Sequence, residues 1–349
     1  MDKRVMFAVA GSGKTTHIIN NLSNNKRSLI ITYTNGNYNN LRNRITEKFN
    51  NTWPKNVTLL TYFSFLYSFC YKPFLADKIK ARGIIYNQEI IGKEQERKRK
   101  RGIKSTQDAY YMTEEKYFHS NRLALYIENN ILPDVKSRIV KYFDEFIIDE
   151  VQDISGRDFN LLENLMTTEI VMLFVGDFYQ HTFDTSRDGA TNKTLYNDKV
   201  KYESRFVNKG FLIDSTTLVN SWRCSKNVCQ YVQCHLGIEI SSNRPESDNT
   251  KIEYITEPAL INSIFNDRQI IKLYYQNGAK NGDGHKNWGD SKGEDHHHDV
   301  CVVINKTTAK KRTAGKLAEL PASTKNKFYV AITRARGNVY LIDESCIEK

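Results

Sequence analysis

Short apolar runs recur along the chain, and most are followed by a glycine-rich or polar turn and then by a segment of helical character. VMFAV (residues 5–9) reads as a short buried strand, with a helix starting at Gly13. SLIITYT (28–34) is a second strand, and VTLLTYFSF (57–65) begins as a third. The character changes from about 72 to 140, where the chain is charged and helix-leaning. EFIIDEVQD (145–153) returns to a buried strand, one that ends in acids, and IVMLFVGD (170–177) is another. After about residue 214 a second set begins. DVCVVIN (299–305) and NVYLID (338–343) look like strands, and KNKFYVAITRAR (325–336) like a helix with a basic end. Residues 276–298, rich in Gly, Asp, Asn, Lys and His, read as a loop or exposed turn. Strands separated by helical segments imply a mostly parallel sheet covered on both faces. The expected fold class is therefore α/β.

Composition adds a partner and a compartment. The chain has 349 residues, 40% hydrophobic and 26% charged, enough for two packed domains. Its formal net charge of +11 favours a polyanion, either nucleic acid or an acidic membrane. No apolar run is long enough to span a bilayer, and the N-terminus lacks the pattern of a secretory signal, so the expected location is cytoplasmic. Abundant Asn, Lys, Ile and Tyr suit an A/T-rich genome, such as that of a phage or a low-GC bacterium. Six cysteines in such a chain read as reduced thiols. Cys224, Cys229 and Cys234 precede His235, but their spacing of five moves each off the previous helix face, against a zinc site. The triplet His296, His297 and His298 reads as an exposed turn rather than a metal site.

The chemistry begins at AVAGSGKTT. Ala8 stands where the phosphate-loop pattern has its first glycine, and Gly11, Gly13, Lys14 and Thr15 complete it. Glycines let backbone N–H groups turn inward on phosphate oxygens, with Ala10, Ser12 and Thr16 in the same cradle. Lys14 would reach the terminal phosphates of a nucleoside triphosphate, and the Thr15 hydroxyl would ligate Mg²⁺. A second acidic strand is needed, and FIIDEVQD supplies it. Asp149 would hold the metal, and Glu150 would orient and deprotonate the attacking water.

With these motifs the chain resembles a superfamily 1 helicase of the UvrD/Rep/PcrA type. The resemblance runs from end to end. AVAGSGKTT is similar to the family's phosphate loop, TYTNGN (32–37) and TYFSF (61–65) to its DNA-contacting segments, and IIDEVQD to its acidic box. VGDFYQHTF (175–183), LVNSWRCS (218–225), SKGED (291–295) and YVAITRAR (329–336) follow in the family's order. The resemblance implies two RecA-like parallel-sheet domains. They would cover 1–213, with a short helical insert at about 72–140, and 214–349, with a short segment at about 240–285 where the family has a larger subdomain. It implies Mg²⁺-ATP as the fuel. Gln180 would sense the γ-phosphate, Arg223 and Arg334 would act as arginine fingers, Trp222 would stack on the base, and Gly293 and Glu294 would border the nucleotide. Thr34, Asn35, Thr61, Tyr62, Ser64 and Phe183 would contact nucleic acid, with Tyr62 or Phe63 as a stacking surface. Phe65, Leu66 and Phe69 read as core. The implied function is 3′→5′ unwinding of DNA or translocation on single strands. An ATP-gated clamp without unwinding and an RNA-directed motor are the alternatives.

Four departures from the family pattern bear on this. Only seven residues precede Ala8, so the family's adenine-reading Gln has no place there. Thr16 replaces an Arg after the phosphate-loop Thr, leaving His17 as a partner for the base. Thr185 stands where the family has a base-stacking Trp, with Phe183 the nearest aromatic. The separation of Arg223 from Ser291 is too short for a full accessory subdomain, so a protein partner or self-association would help such a motor on single-stranded or forked DNA. The run KEQERKRKR (93–101) reads equally as a grip on duplex phosphates and as a solvated helix.

Overall fold

A computed structural model describes residues 2–182, 188 and 190–347. Among them lie two wholly parallel sheets flanked by helices, the architecture expected of two RecA-like units. The first sheet has six strands in the order Val57–Thr61, Ser28–Thr32, Glu145–Asp149, Val171–Gly176, Lys3–Phe7 and Leu212–Asp214. The second has five, in the order Ile252–Tyr254, Val339–Asp343, Val300–Ile304, Ile271–Tyr274 and His285–Asn287. Parallel pairing requires a crossover between neighbours, and covered faces explain why the central strands read as continuous apolar runs. Ser28–Thr32, Glu145–Asp149 and Val300–Ile304 are buried at every position.

The insert expected to be helical is mixed. Gly83–Ile85 and Tyr117–His119 form a small parallel pair. The helix Gln88–Lys100 is capped by Asn87, whose side chain accepts from the Glu89 and Ile90 amides. Helix Leu123–Tyr142 carries Pro133 and packs Ile127, Ile131, Val135 and Ile139 into the core beneath the first sheet. Phe65, Leu66 and Phe69 join that same core.

Residues 276–298 differ from their reading as a loop. His285–Asn287 is an edge strand on Ile271–Tyr274, and Trp288 is fully buried, its Nε1 donating to the Leu273 carbonyl 3.0 Å away. One apolar anchor outweighs the polar composition around it. The stretch 240–285 likewise supplies Ile252–Tyr254, helix Pro258–Asn266 and Ile271–Tyr274 to the second sheet's unit. The helix in 325–336 spans Ala322–Ile332, so Arg334 stands just beyond its end. Among the described residues no helix is long and apolar enough to cross a membrane. Cys224 and Cys229 are buried, whereas Cys234 is exposed.

Candidate nucleotide cleft and nucleic-acid path

Parallel strands put all their C-terminal ends on one edge, where α/β sheets bind ligands. The strand Lys3–Phe7 runs from that edge into the glycine-rich loop, and helix Lys14–Asn21 starts behind it. Gly11 and Gly13 both have positive φ, 72° and 89°. At Gly11 there is also no room: a Cβ there would lie 2.6 Å from the Arg223 Cβ and 2.8 Å from the Ser221 hydroxyl. The loop therefore abuts the second wall directly, and the Trp222 amide donates to the Gly11 carbonyl at 2.9 Å. Between them is a cavity of about 220 Å³. Gly11, Ser12, Gly13, Lys14, Thr15, Thr16, Glu150 and Gln180 line it on one side, and Trp222, Arg223, Gly293, Asp295, Arg334 and Arg336 on the other.

On the first wall Lys14 Nζ lies 3.6 Å from Glu150 Oε1. Glu150 holds a left-handed backbone (φ 57°), a conformation that costs a non-glycine residue about 1–3 kcal/mol and clusters at working sites. Gln152, fully buried, donates to Glu150 and accepts the Asp177 amide at 3.0 Å. Burial works against the Glu150 charge, but Lys14, Lys292 and the Gln152 hydrogen bond overcome it and hold the carboxyl below the usual range. Asp149 goes the other way: burial, then the neighbouring Glu150 charge, push its carboxyl up. Neighbouring acids are thus pushed in opposite directions, Glu150 toward the ionised form and Asp149 toward the protonated one. Asp149 Oδ1 is buried without a hydrogen-bond partner. That orphaned oxygen and the Thr15 hydroxyl are hard donors of the kind Mg²⁺ takes, so the residues present fit the ion.

On the second wall the two arginines Arg223 and Arg334 are held by internal partners. Arg223 ion-pairs with Asp295 and donates from Nη1 to the Thr333 carbonyl at 3.1 Å. Arg334 lies 3.9 Å from the same carboxylate, donating from Nε to Val330 O and from Nη1 to Glu294 O. Burial and the adjacent Arg223 charge push the Arg334 guanidinium down to about 10, still a cation at neutral pH. Trp222 is 67% exposed and lines the cavity, so it is not a core aromatic. The Glu294 carboxylate pairs with Lys286 and His297 and is not among the groups lining the cavity. Asp295, one residue on, lines it.

The walls are joined by buried bonds that the motif reading missed. The Tyr329 hydroxyl accepts the Ala10 amide at 2.9 Å and donates to Asp177 at 3.0 Å. Asp177 also accepts from Gln180 Nε2 at 2.9 Å. Lys292 ion-pairs with buried Asp153 across 139 residues of sequence. Gln180 is thus bonded through Asp177 to Tyr329, which lies on helix Ala322–Ile332 and also holds the glycine-rich loop. Ala10 is fully buried and contributes only its backbone.

Thr16 also gains an unforeseen neighbour. Arg44 donates to its hydroxyl at 2.7 Å from helix Asn35–Lys48, and Asn37, Asn40 and Arg44 line the cavity. Their spacing of three and four places them on one helix face, a periodicity that sequence could have disclosed. His17 is not among the lining residues; the charges acting on it are those of Asp214 and Arg4.

The expected nucleic-acid contacts share the same sheet edge but divide by exposure. Thr34 caps helix Asn35–Lys48, accepting the Asn37 amide, and Asn35 is exposed. Thr61 donates to the Ser64 hydroxyl at 2.8 Å, and both are half-buried. Tyr62 is only 4% exposed and stacks on Tyr33, so its ring offers no face to a base. Phe63 and exposed Tyr86, edge to face at 4.9 Å, form the available aromatic surface. Phe183 and Thr185 lie outside the described residues.

No protein-family model matches the chain. No curated protein matches it either. Solved structures do. A complex of arterivirus nonstructural protein 10 (helicase) with DNA is similar at TM-score 0.51 and 13% identity, covering 98% of this chain and 60% of that one. The PRRSV helicase gives a TM-score of 0.49 at 13% identity, covering 98% and 52%. The chain thus spans between half and three-fifths of the length of these helicases. At such identity the likeness to the arterivirus protein establishes the fold alone, a pair of parallel α/β units.

Proposed function

We propose that this chain is a nucleotide-driven motor on nucleic acid, a superfamily 1 helicase or single-strand translocase of reduced form. The observation that carries the reading is the cleft itself: Lys14 and Glu150 on one wall face Arg223 and Arg334 on the other across a single cavity. The amides of Gly11–Thr15 and the Lys14 ammonium bind the β- and γ-phosphates of ATP. Glu150 orients the attacking water and takes its proton. Arg223 and Arg334 stabilise charge on the transferred phosphoryl group, which requires them to leave Asp295 for the nucleotide. Mg²⁺, held by Thr15 and Asp149, would neutralise phosphate charge. Trp222 offers a face to the base, and the Asn37, Asn40 and Arg44 face borders it.

Because the fingers come from the opposite unit, nucleotide binding and closure of residues 1–213 on 214–349 become one event. Gln180 is bonded to Asp177, and through it to Tyr329, so occupancy of the cleft is transmitted to both units. Thr34, Asn35, Thr61, Ser64 and the Phe63–Tyr86 pair form the strand path at the same edge. Polarity 3′→5′ and a preference for DNA follow the motif resemblance, and a cytoplasmic site of action follows the composition. Hydrolysis should be measured with single-stranded DNA, forked DNA and RNA in one panel, beside unwinding and translocation. Stimulation by single strands with movement supports the motor. Stimulation without movement favours an ATP-gated clamp, and stimulation by RNA alone favours an RNA motor.

A further inference from the structure

We propose that Glu294, His296 and His297 form a binding site for a borderline divalent cation of the Zn²⁺ class, placed to restrain the two arginines of the cleft. The binding half stands on geometry alone; the regulatory half rests on the nucleotide reading above.

One donor atom from each of the three side chains lies within 4.8 Å of the other two. Glu294 Oε2 and His297 Nε2 are 2.7 Å apart, and the His296 and His297 ring centroids are 4.1 Å apart. Tetrahedral Zn²⁺ with bonds of about 2.0–2.1 Å wants its ligand atoms about 3.4 Å from one another. The cation replaces the proton between Glu294 and His297, and His296 closes by side-chain rotation. Two imidazoles and one carboxylate select Zn²⁺, Co²⁺ or Ni²⁺ over Mg²⁺ and Ca²⁺, which take oxygen. His296 is exposed while Glu294 and His297 are half-buried, so the fourth position opens to water.

The surroundings hold the ligands in place. Lys286 pairs with the other oxygen of Glu294, fixing the carboxylate as outer partners of metal ligands do. The Arg336 amide donates to the His297 carbonyl at 3.1 Å, and the Glu294 amide to Ser291 O at 3.2 Å. His298 stands apart: it is exposed and pairs with Asp299 at 2.8 Å. The exposed-turn reading of the triplet thus holds for His298, whereas His297 turns inward.

The link to the cleft is Asp295, which lies between the ligands in sequence. Its carboxylate holds Arg223 and sits 3.9 Å from Arg334, and its carbonyl accepts Arg336 Nε at 2.7 Å. The Glu294 carbonyl accepts Arg334 Nη1 at 3.4 Å. A cation tying residue 294 to 296 and 297 immobilises this turn and keeps Asp295 on both guanidiniums. Arginines so held do not reach a phosphoryl group, so occupancy slows hydrolysis.

The full chain should be titrated with Co²⁺, read by visible absorption and calorimetry, in a Cys234→Ser/Cys346→Ser background that removes the exposed thiols. One equivalent should bind, at least tenfold more weakly in His296→Ala and in His297→Ala, with excess Mg²⁺ not competing. Because His296 is exposed, its substitution leaves folding intact. Binding indifferent to both histidines, or lost with the thiols, overturns the site. Zn²⁺ should then slow nucleotide hydrolysis severalfold, reversibly by chelator, in the parent but not in His296→Ala. Stoichiometric binding with no effect on rate overturns the restraint. A chain that binds Co²⁺ but hydrolyses no nucleotide refutes the motor and leaves the metal site standing.

Discussion

The two walls of the cleft hold their charges in opposite ways. On the glycine-rich side the charges are kept poised: Glu150 ionised against Lys14, Asp149 Oδ1 buried and unbonded, loop amides turned by Gly11 and Gly13. On the other side Arg223 and Arg334 are engaged within the wall, by Asp295 and by the Thr333, Val330 and Glu294 carbonyls. One wall is built to receive an anion; the other must exchange an internal carboxylate for it. Both walls hold an internal pair, Lys14 with Glu150 and the two arginines with Asp295, but the arginine wall has the more bonds to exchange when an anion enters.

Breaking the exchange at its recipient should have the largest effect. Arg334→Ala should lower the rate constant for hydrolysis by about 10³-fold or more, with nucleotide binding reduced far less. An unchanged rate in single-turnover measurements would remove the second wall from the chemistry. The first wall can be probed at its edge. Arg44→Ala should raise KM about tenfold at nearly constant kcat and blunt discrimination between ATP and GTP, as expected for a charged hydrogen-bonding group that touches ground and transition state alike. A fall confined to kcat would place Arg44 elsewhere. The competitor itself offers a milder test. Asp295→Asn should tighten nucleotide binding severalfold by releasing both guanidiniums, read by fluorescent-nucleotide titration; weaker binding would mean that Asp295 positions the arginines productively.

The smallest effect lies in the insert, away from both walls. Burial, opposed by Glu94, pushes the His119 imidazole down to about 4. A group whose folded pKa is depressed contributes stability that is fully present above its ordinary value, near 6.5, and is lost as pH falls toward 4. Thermal denaturation should therefore lose on the order of 1 kcal/mol more between pH 6.5 and 4 in the parent than in His119→Gln. Equal slopes would show that the insert does not share this burial penalty.

What sequence disclosed follows the same division. The first wall is local: strand, loop and helix are contiguous from Lys3 to Asn21, and two adjacent acids end a strand, so residue type and spacing were enough. The α/β class was legible for the same reason, since covered parallel strands are continuous apolar runs. The second sheet was half visible. Val300–Ile304 and Val339–Asp343 are apolar throughout or nearly so, but Ile271–Tyr274 carries Lys272, whose stem is buried while its ammonium reaches the Asp267 carbonyl. His285–Asn287 has no apolar residue at all and is held by Trp288 beside it. Pairings across long sequence separations were invisible: Tyr329 with Ala10 and Asp177, Lys292 with Asp153, Arg44 with Thr16. The burial of the Tyr62 ring was not legible because its motif fixes a position on the chain and not the direction of a ring.

The most direct test is steady-state ATP hydrolysis with and without single-stranded DNA, for the parent and Glu150→Gln side by side. Hydrolysis by the parent should rise severalfold with single strands, and Glu150→Gln should lower it by about 10²–10⁴-fold while still binding nucleotide. Hydrolysis indifferent to nucleic acid, or a Glu150→Gln rate equal to the parent's, would contradict a motor driven from this cleft.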